Sequence, residues 1–276
     1  MNFIIVSDSS SDILFLDDVS FSSVPLKVMT DEKEYVDNSE LDVHSMLSDL
    51  AKYKGRSRSS CPGIGEYLEA FGDAQYIFCV TITSGLSGSF NAANGAAKQY
   101  MEEHPGRRVH VIDSLSTGPE NALLIVKLRE LILSGESYDS IVEKVTEYHK
   151  HTRLIFALES LHNLANNGRV SPIVAKLSGV LGIRIVGRAS DVGTLEIIEK
   201  SRGEKKMHSD IIKNMECDGF RGGRVKIHHA DNESSALALK EKILEKYPDV
   251  EINVQMTRGL CSFYAERGGL LVGFEV

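Results

Sequence analysis

The alternation of apolar and polar positions divides the chain into strands and helices that follow one another closely. Phe3 to Val6 is a short apolar run and predicts a first strand, with the polar Ser7-Asp8-Ser9-Ser10-Ser11-Asp12 at its carboxyl end. Val24 to Met29 reads as a second strand, with a turn at Thr30–Lys33 and a short return over Glu34–Val36. Leu41 to Lys54 places Val43, Met46, Leu47 and Leu50 at helical spacing. A polar loop, Gly55 to Gly63, precedes an amphipathic helix from Ile64 to Phe71. Tyr76 to Ile82 predicts a buried strand and Phe90 to Met101 a helix. Between them lies Thr83-Ser84-Gly85-Leu86-Ser87-Gly88-Ser89. Arg108 to Ile112 predicts another strand, and helices follow over 121–134 and 138–151. Strands alternating with helices, with small polar loops at the strand carboxyl ends, indicate a mostly parallel sheet flanked by helices. Ligands of such sheets bind at those ends.

The remainder repeats the alternation with different spacing. Leu154 to Leu158 predicts a strand, Ser160 to Asn167 a short helix stopped by Gly168, and Pro172 to Leu181 an apolar helix. Residues 182–188 and 194–198 read as paired strands around Asp191-Val192-Gly193. Helices over 205–215 and 234–247 and strands over 225–229, 250–254 and 270–274 complete the chain. The expectation is two α/β domains, 1–151 and 152–276, the second beginning after His151.

Composition narrows the functional classes. The 276 residues are 42% hydrophobic and 25% charged, enough apolar content for a real core. The formal net charge is −8 with no basic block, which argues against nucleic acid as a partner. The four cysteines are far apart and lack metal or redox spacing, and the nine histidines show no ligand spacing, so no metal is expected. Reduced thiols fit a cytoplasmic protein. Met1 to Val6 does not read as a signal peptide, and no apolar run approaches the length of a membrane span.

The chemistry concentrates in hydroxyls. Ser59, Ser60, Ser84, Ser87 and Ser89 lie in loops expected at one end of the sheet. The turn between strand and helix combines two glycines, three serines and a helix N-terminus, which favours an anion. Neutral donors without a nearby lysine suit a carboxylate better than a triphosphate. The 55–63 loop reads either as a plain loop with a helix cap or as a second hydroxyl-bearing wall. The 83–88 stretch lacks the GxSxG elbow and a sequence-placed base, so binding is favoured over serine hydrolysis. Arg169 and Arg202 read as surface charges by sequence alone.

These residues, in order along nearly the whole chain, resemble the DegV family of bacterial fatty-acid-binding proteins. Ser7 to Asp12 is similar to that family's TDSssD opening, and Val24-Pro25-Leu26 to its VPL strand. Ser59 to Gly63 falls where the family has TSQPS, and Ser84 to Ser89 is similar to SSxLSGT. Val111 to Ser114 is similar to VIDS, Asn167 to Val170 to GGRI, and residues 181–184 and 200–202 to LLxIKP and KxR.

The resemblance implies a long-chain fatty acid held between two α/β domains. Its carboxylate would rest on Ser59, Ser60, Ser87 and the Gly88 amide, with its tail in an apolar tunnel reaching the second domain. It further implies that the chain presents the acid to the ATP-binding subunit of a fatty acid kinase, performing no chemistry alone. Arg169 and Arg202 would face that partner or the phosphate. Where the family has HxGPG, this chain has Tyr264-Ala265-Glu266-Arg267-Gly268. Tyr264 therefore stands in the place of a histidine expected at the carboxylate. A phenol can donate a hydrogen bond but cannot be cationic near neutral pH. That departure keeps open a lipid carrier without a kinase partner, and the many loop serines keep open an unaided serine esterase. No cofactor is implied beyond the bound acid.

Overall fold

The structure, a computed structural model, describes residues 2–175 and 182–276. Its first sheet holds β1 (Phe3–Asp8), β2 (Phe21–Val24), β6 (Tyr76–Thr81) and β7 (Arg108–Asp113), in the order β2-β1-β6-β7. All three pairings are parallel. The central strands β1 and β6 are covered on both faces, which explains the apolar runs Phe3–Val6 and Tyr76–Val80. Helices α2 (Ile64–Phe71) and α3 (Ser89–Glu103) cover one face through Tyr67, Phe71, Ala93 and Ala96. Helices α4 (Pro119–Leu133) and α5 (Tyr138–His149) cover the other through Leu124, Leu128, Ile141 and Val145.

The second sheet has six strands in the order β10-β9-β8-β13-β11-β12. These are β8 (Thr152–Leu158), β9 (Ile183–Ala189), β10 (Leu195–Arg202), β11 (Val225–His229), β12 (Ile252–Met256) and β13 (Leu270–Glu275). Only β11 and β12 pair in parallel. On one face Ile155, Ala157, Val186 and Val272 pack under α8 (Glu204–Cys217) and α9 (Glu233–Lys246). The alternate residues Leu154, Phe156, Leu158 and Leu271 point to the opposite face, as the two-residue period of a strand requires.

A small third sheet joins β3 (Lys27–Met29), β4 (Glu34–Val36) and β5 (Arg58–Ser60). It corrects two expectations. The strand expected over Val24 to Met29 is broken. β2 ends at Val24 and β3 starts at Lys27, in different sheets, because Pro25 has no N–H for a ladder. The amide of Leu26 donates instead to Ser9 Oγ at 3.0 Å. The 55–63 loop contains β5, whose register pairs Ser59 with Val28. The short helix α1 (Val43–Lys52) begins at the Asp42 cap.

The helix ending near Gly168 is observed as α6 (His162–Asn166). The Gly168 amide donates to Ala165 O and the Arg169 amide to Leu164 O, with Gly168 at φ 74°. Of the helix expected over 172–181, α7 (Pro172–Ala175) is described, and the rest lies outside the described residues. A tenth helix, α10 (Gly259–Ala265), was not anticipated by the periodicity.

Candidate functional site

Most of the candidate residues converge on one cavity of about 280 Å³ between the two large sheets. Its polar side begins at the turn after β6. Thr83 pins that turn: its amide donates to Ser116 O (2.9 Å) and its hydroxyl to Gly193 O (2.9 Å). The amides of Leu86 and Ser87 close back on Thr83 O, and Asp113 Oδ1 accepts the Ser84 amide at 3.0 Å. Gly85 is required because a Cβ there would come within 2.8 Å of Gly193 O. Ser87 Oγ accepts the Ser89 amide (3.3 Å), which leaves its own proton to donate into the cavity. Gly88 precedes the first turn of α3, so the positive end of a 15-residue helix lies beside it.

Below this turn sits Asp8, completely buried. Its carboxylate accepts the Ile82 amide (3.0 Å) and the Ser10 hydroxyl (2.5 Å). Burial pushes its pKa up to about 6, partly offset by those hydrogen bonds. The Ser7–Asp12 stretch thus caps a single 3-10 turn and braces the site from beneath.

The opposite wall comes from β5 and α10. Ser59 Oγ and Tyr264 Oη are 2.7 Å apart. Burial raises the Tyr264 pKa, with Ser59 and Arg169 opposing, so the phenol stays neutral and can donate. Two buried carboxylates anchor the start of α10. Asp37 accepts the amides of Gly259 (2.7 Å) and Leu260 (2.8 Å), and Asp12 accepts that of Arg258 (2.7 Å). Asp12 also meets His228 Nδ1 at 2.7 Å, both side chains fully buried. Burial brings Asp37 to about 6 as well. These contacts fix the helix that delivers Leu260, Cys261, Tyr264 and Ala265 to the cavity.

Arg169 closes the polar end. Its Nε donates to Leu86 O at 3.2 Å, and its guanidinium lies 6.0 Å from the Tyr264 ring centroid. Ser59, Ser60, Ser87, Gly88, Tyr264 and Arg169 therefore line one cavity, as does the exposed Cys61. Arg202, at the end of β10, is exposed and does not line it. Apart from Thr117, the remaining described lining is apolar or thiol and includes Leu86, Leu154, Phe156, Leu158, Leu164, Leu195 and Leu271. Sequence reasoning missed this face, and missed Asp37. A buried carboxylate facing helix amides has no local signature, and the alternate-residue leucines read simply as core. Among the described residues that line the cavity there is no histidine, carboxylate or lysine. Among the described residues no group of three His, Cys, Asp or Glu side chains is placed to hold a metal, and no helix is long and apolar enough to cross a membrane.

Among the described residues, neutral donors and Arg169 at one end of an apolar slot suit an amphipathic anion. Comparison with known proteins places the chain. A family model described as "Uncharacterised protein, DegV family" matches residues 2–275. A DegV domain-containing protein of Streptococcus gordonii is 42% identical over 280 residues, covering 100% of both chains. The chain belongs to the DegV family. The crystal structure of the Streptococcus pneumoniae Fatty Acid Kinase (Fak) B3 protein loaded with linoleic acid superimposes with a TM-score of 0.98. It is 41% identical, with 100% of each chain covered. A DegV family protein from Eubacterium eligens loaded with heptadecanoic acid gives 0.97 at 44% identity, with 99% of each chain covered.

Proposed function

We infer that this protein binds a long-chain fatty acid and presents it to an ATP-dependent fatty acid kinase subunit. The observation that carries this reading is the two-part lining of the cavity. A carboxylate set among Ser59, Ser60, Ser87, the Gly88 amide and Tyr264 receives several hydrogen bonds, each worth about 1.5–3 kcal/mol when the acceptor is charged. Arg169 supplies the one positive charge among the described lining residues. The tail lies against leucines and Phe156, gaining about 0.8 kcal/mol per buried methylene. The relatives bound to linoleic and heptadecanoic acids support the same ligand class here.

In this reading residues 1–151 form the unit carrying the carboxylate loops and 152–276 the unit carrying the tail wall. Arg169 and the exposed Arg202 face the kinase subunit or the phosphoryl group in transit. The four free thiols suit a cytoplasmic site of action. In this reading the ATP-binding partner performs the phosphorylation and this chain holds the acid in place.

Mass spectrometry of natively purified protein tests the binding, and incubation with ATP and the kinase subunit tests the partnership. Co-purified fatty acid and acyl phosphate formation are expected. Failure to recover or saturably bind any long-chain acid contradicts the reading, whereas binding without acyl phosphate leaves a carrier.

A further inference from the structure

Leu154 stands between two cavities. It lines the acyl cavity and also a second one of about 260 Å³. The loop after β7 completes the partition, with Ser114 and Leu115 on the second cavity and Thr117 on the first. The strand direction gives the partition its meaning. The carboxyl end of β8 lies by the polar end of the acyl cavity, because Ser160 Oγ donates to Glu266 (2.9 Å) and Asn163 Nδ2 to Phe263 O (2.8 Å), the residues flanking Tyr264. Leu158, Phe156 and Leu154 then follow on one face, each two residues further from that end. Leu154 is the last of them, buried to 3% exposure.

Beyond Leu154 the chemistry changes. The second cavity is lined by Glu120, His149, Arg153 and Asp191 among others. Glu120 accepts the Thr152 hydroxyl at 2.8 Å, and His149 Nε2 meets Ser114 O at 2.7 Å. Methylenes pushed among these groups would gain little from burial while desolvating them.

We propose that Leu154 is the end stop of the acyl cavity and sets the longest fatty acid the protein accepts. This deepens the fatty-acid reading and rests on it. The stop is steric through the Leu154 side chain and chemical through the polar chamber behind it. Shortening the side chain opens space toward that chamber. Enlarging it shortens the slot.

Affinities for saturated fatty acids of increasing length, measured for the wild type, Leu154→Ala and Leu154→Phe, test the inference. One methylene in a hydrophobic pocket is worth about tenfold or more, so the length preference is sharp. Leu154→Ala is expected to improve the longest acids at least about tenfold relative to the wild-type optimum, and Leu154→Phe to penalise them by a similar factor. Leu154→Val carries the same sign as Leu154→Ala if the larger truncation does not fold. Folded variants that keep the wild-type length profile overturn the end stop while leaving fatty-acid binding intact. A wild type that binds no fatty acid overturns the underlying reading, and the end stop with it.

Discussion

The two large sheets serve the same cavity in opposite ways. The parallel sheet offers its strand ends: the turns after β6 and β7 carry Ser87, Gly88 and Thr117, and the β1 end braces them through Asp8. The mixed sheet offers a face, with Leu154, Phe156, Leu158, Leu195 and Leu271 spread over three strands. Strand ends present backbone amides, small hydroxyls and a helix dipole, which recognise a charged group at fixed distances. A sheet face presents side chains in rows and recognises length and shape without direction. An amphipathic ligand needs both, and placing them on separate sheets lets the tail wall vary without disturbing the carboxylate loops.

The comparison breaks most visibly if charge is placed on the apolar face. Leu195→Glu puts an unpaired carboxylate into the cavity wall at a half-buried position. Fatty-acid affinity should fall more than about a hundredfold with little change in thermal stability, checked by titration and a melting curve. Retained affinity would mean the tail lies elsewhere.

Removing donors from the strand-end side has a smaller and more selective effect. Ser87→Ala and Tyr264→Phe should each weaken a free fatty acid by roughly ten- to a hundredfold. Binding of the matching methyl ester, which has no charged acceptor, should change little. Equal losses for acid and ester would assign these residues to packing rather than to the carboxylate.

The smallest effect concerns the buried anchors. Burial raises Asp8 and Asp37 from 3.8 to about 6, so folding favours their protonated forms. Their stabilisation is fully present below 3.8 and is lost as pH rises through about 6. Between pH 7 and pH 5 each should add about 1 kcal/mol relative to the rest of the protein. Denaturant unfolding at both pH values should show Asp37→Asn losing one such increment of pH dependence. An unchanged slope would remove Asp37 from that role.

The two regions also differ in how far the sequence disclosed them. The strand-end side was legible because turns depend on local chemistry: glycine, hydroxyls and the helix start at Ser89 all occur within one short stretch. The parallel sheet followed from its alternation with helices. The break at Pro25 is a local signal that the apolar run concealed. Strand β5 was hidden because Arg58-Ser59-Ser60 is polar and pairs only through its distant partner β3. The tail wall was not legible as a site, since Leu154, Phe156 and Leu158 have the pattern of any half-buried strand. Which neighbour covers that face is decided by tertiary packing. Asp37, and the contact of Asp12 with α10, were invisible for the same reason, because their partners at Arg258 to Leu260 lie more than two hundred residues away.

A crystal structure of the protein loaded with a long-chain fatty acid shows whether one ligand spans the two unlike surfaces. Carboxylate oxygens are expected within hydrogen-bond distance of Ser87 Oγ and the Tyr264 phenol, with the tail passing Leu158 and Phe156 to end at Leu154. A reversed acid with its carboxylate beside Arg153 and His149, or a saturated protein with an empty cavity, would contradict it.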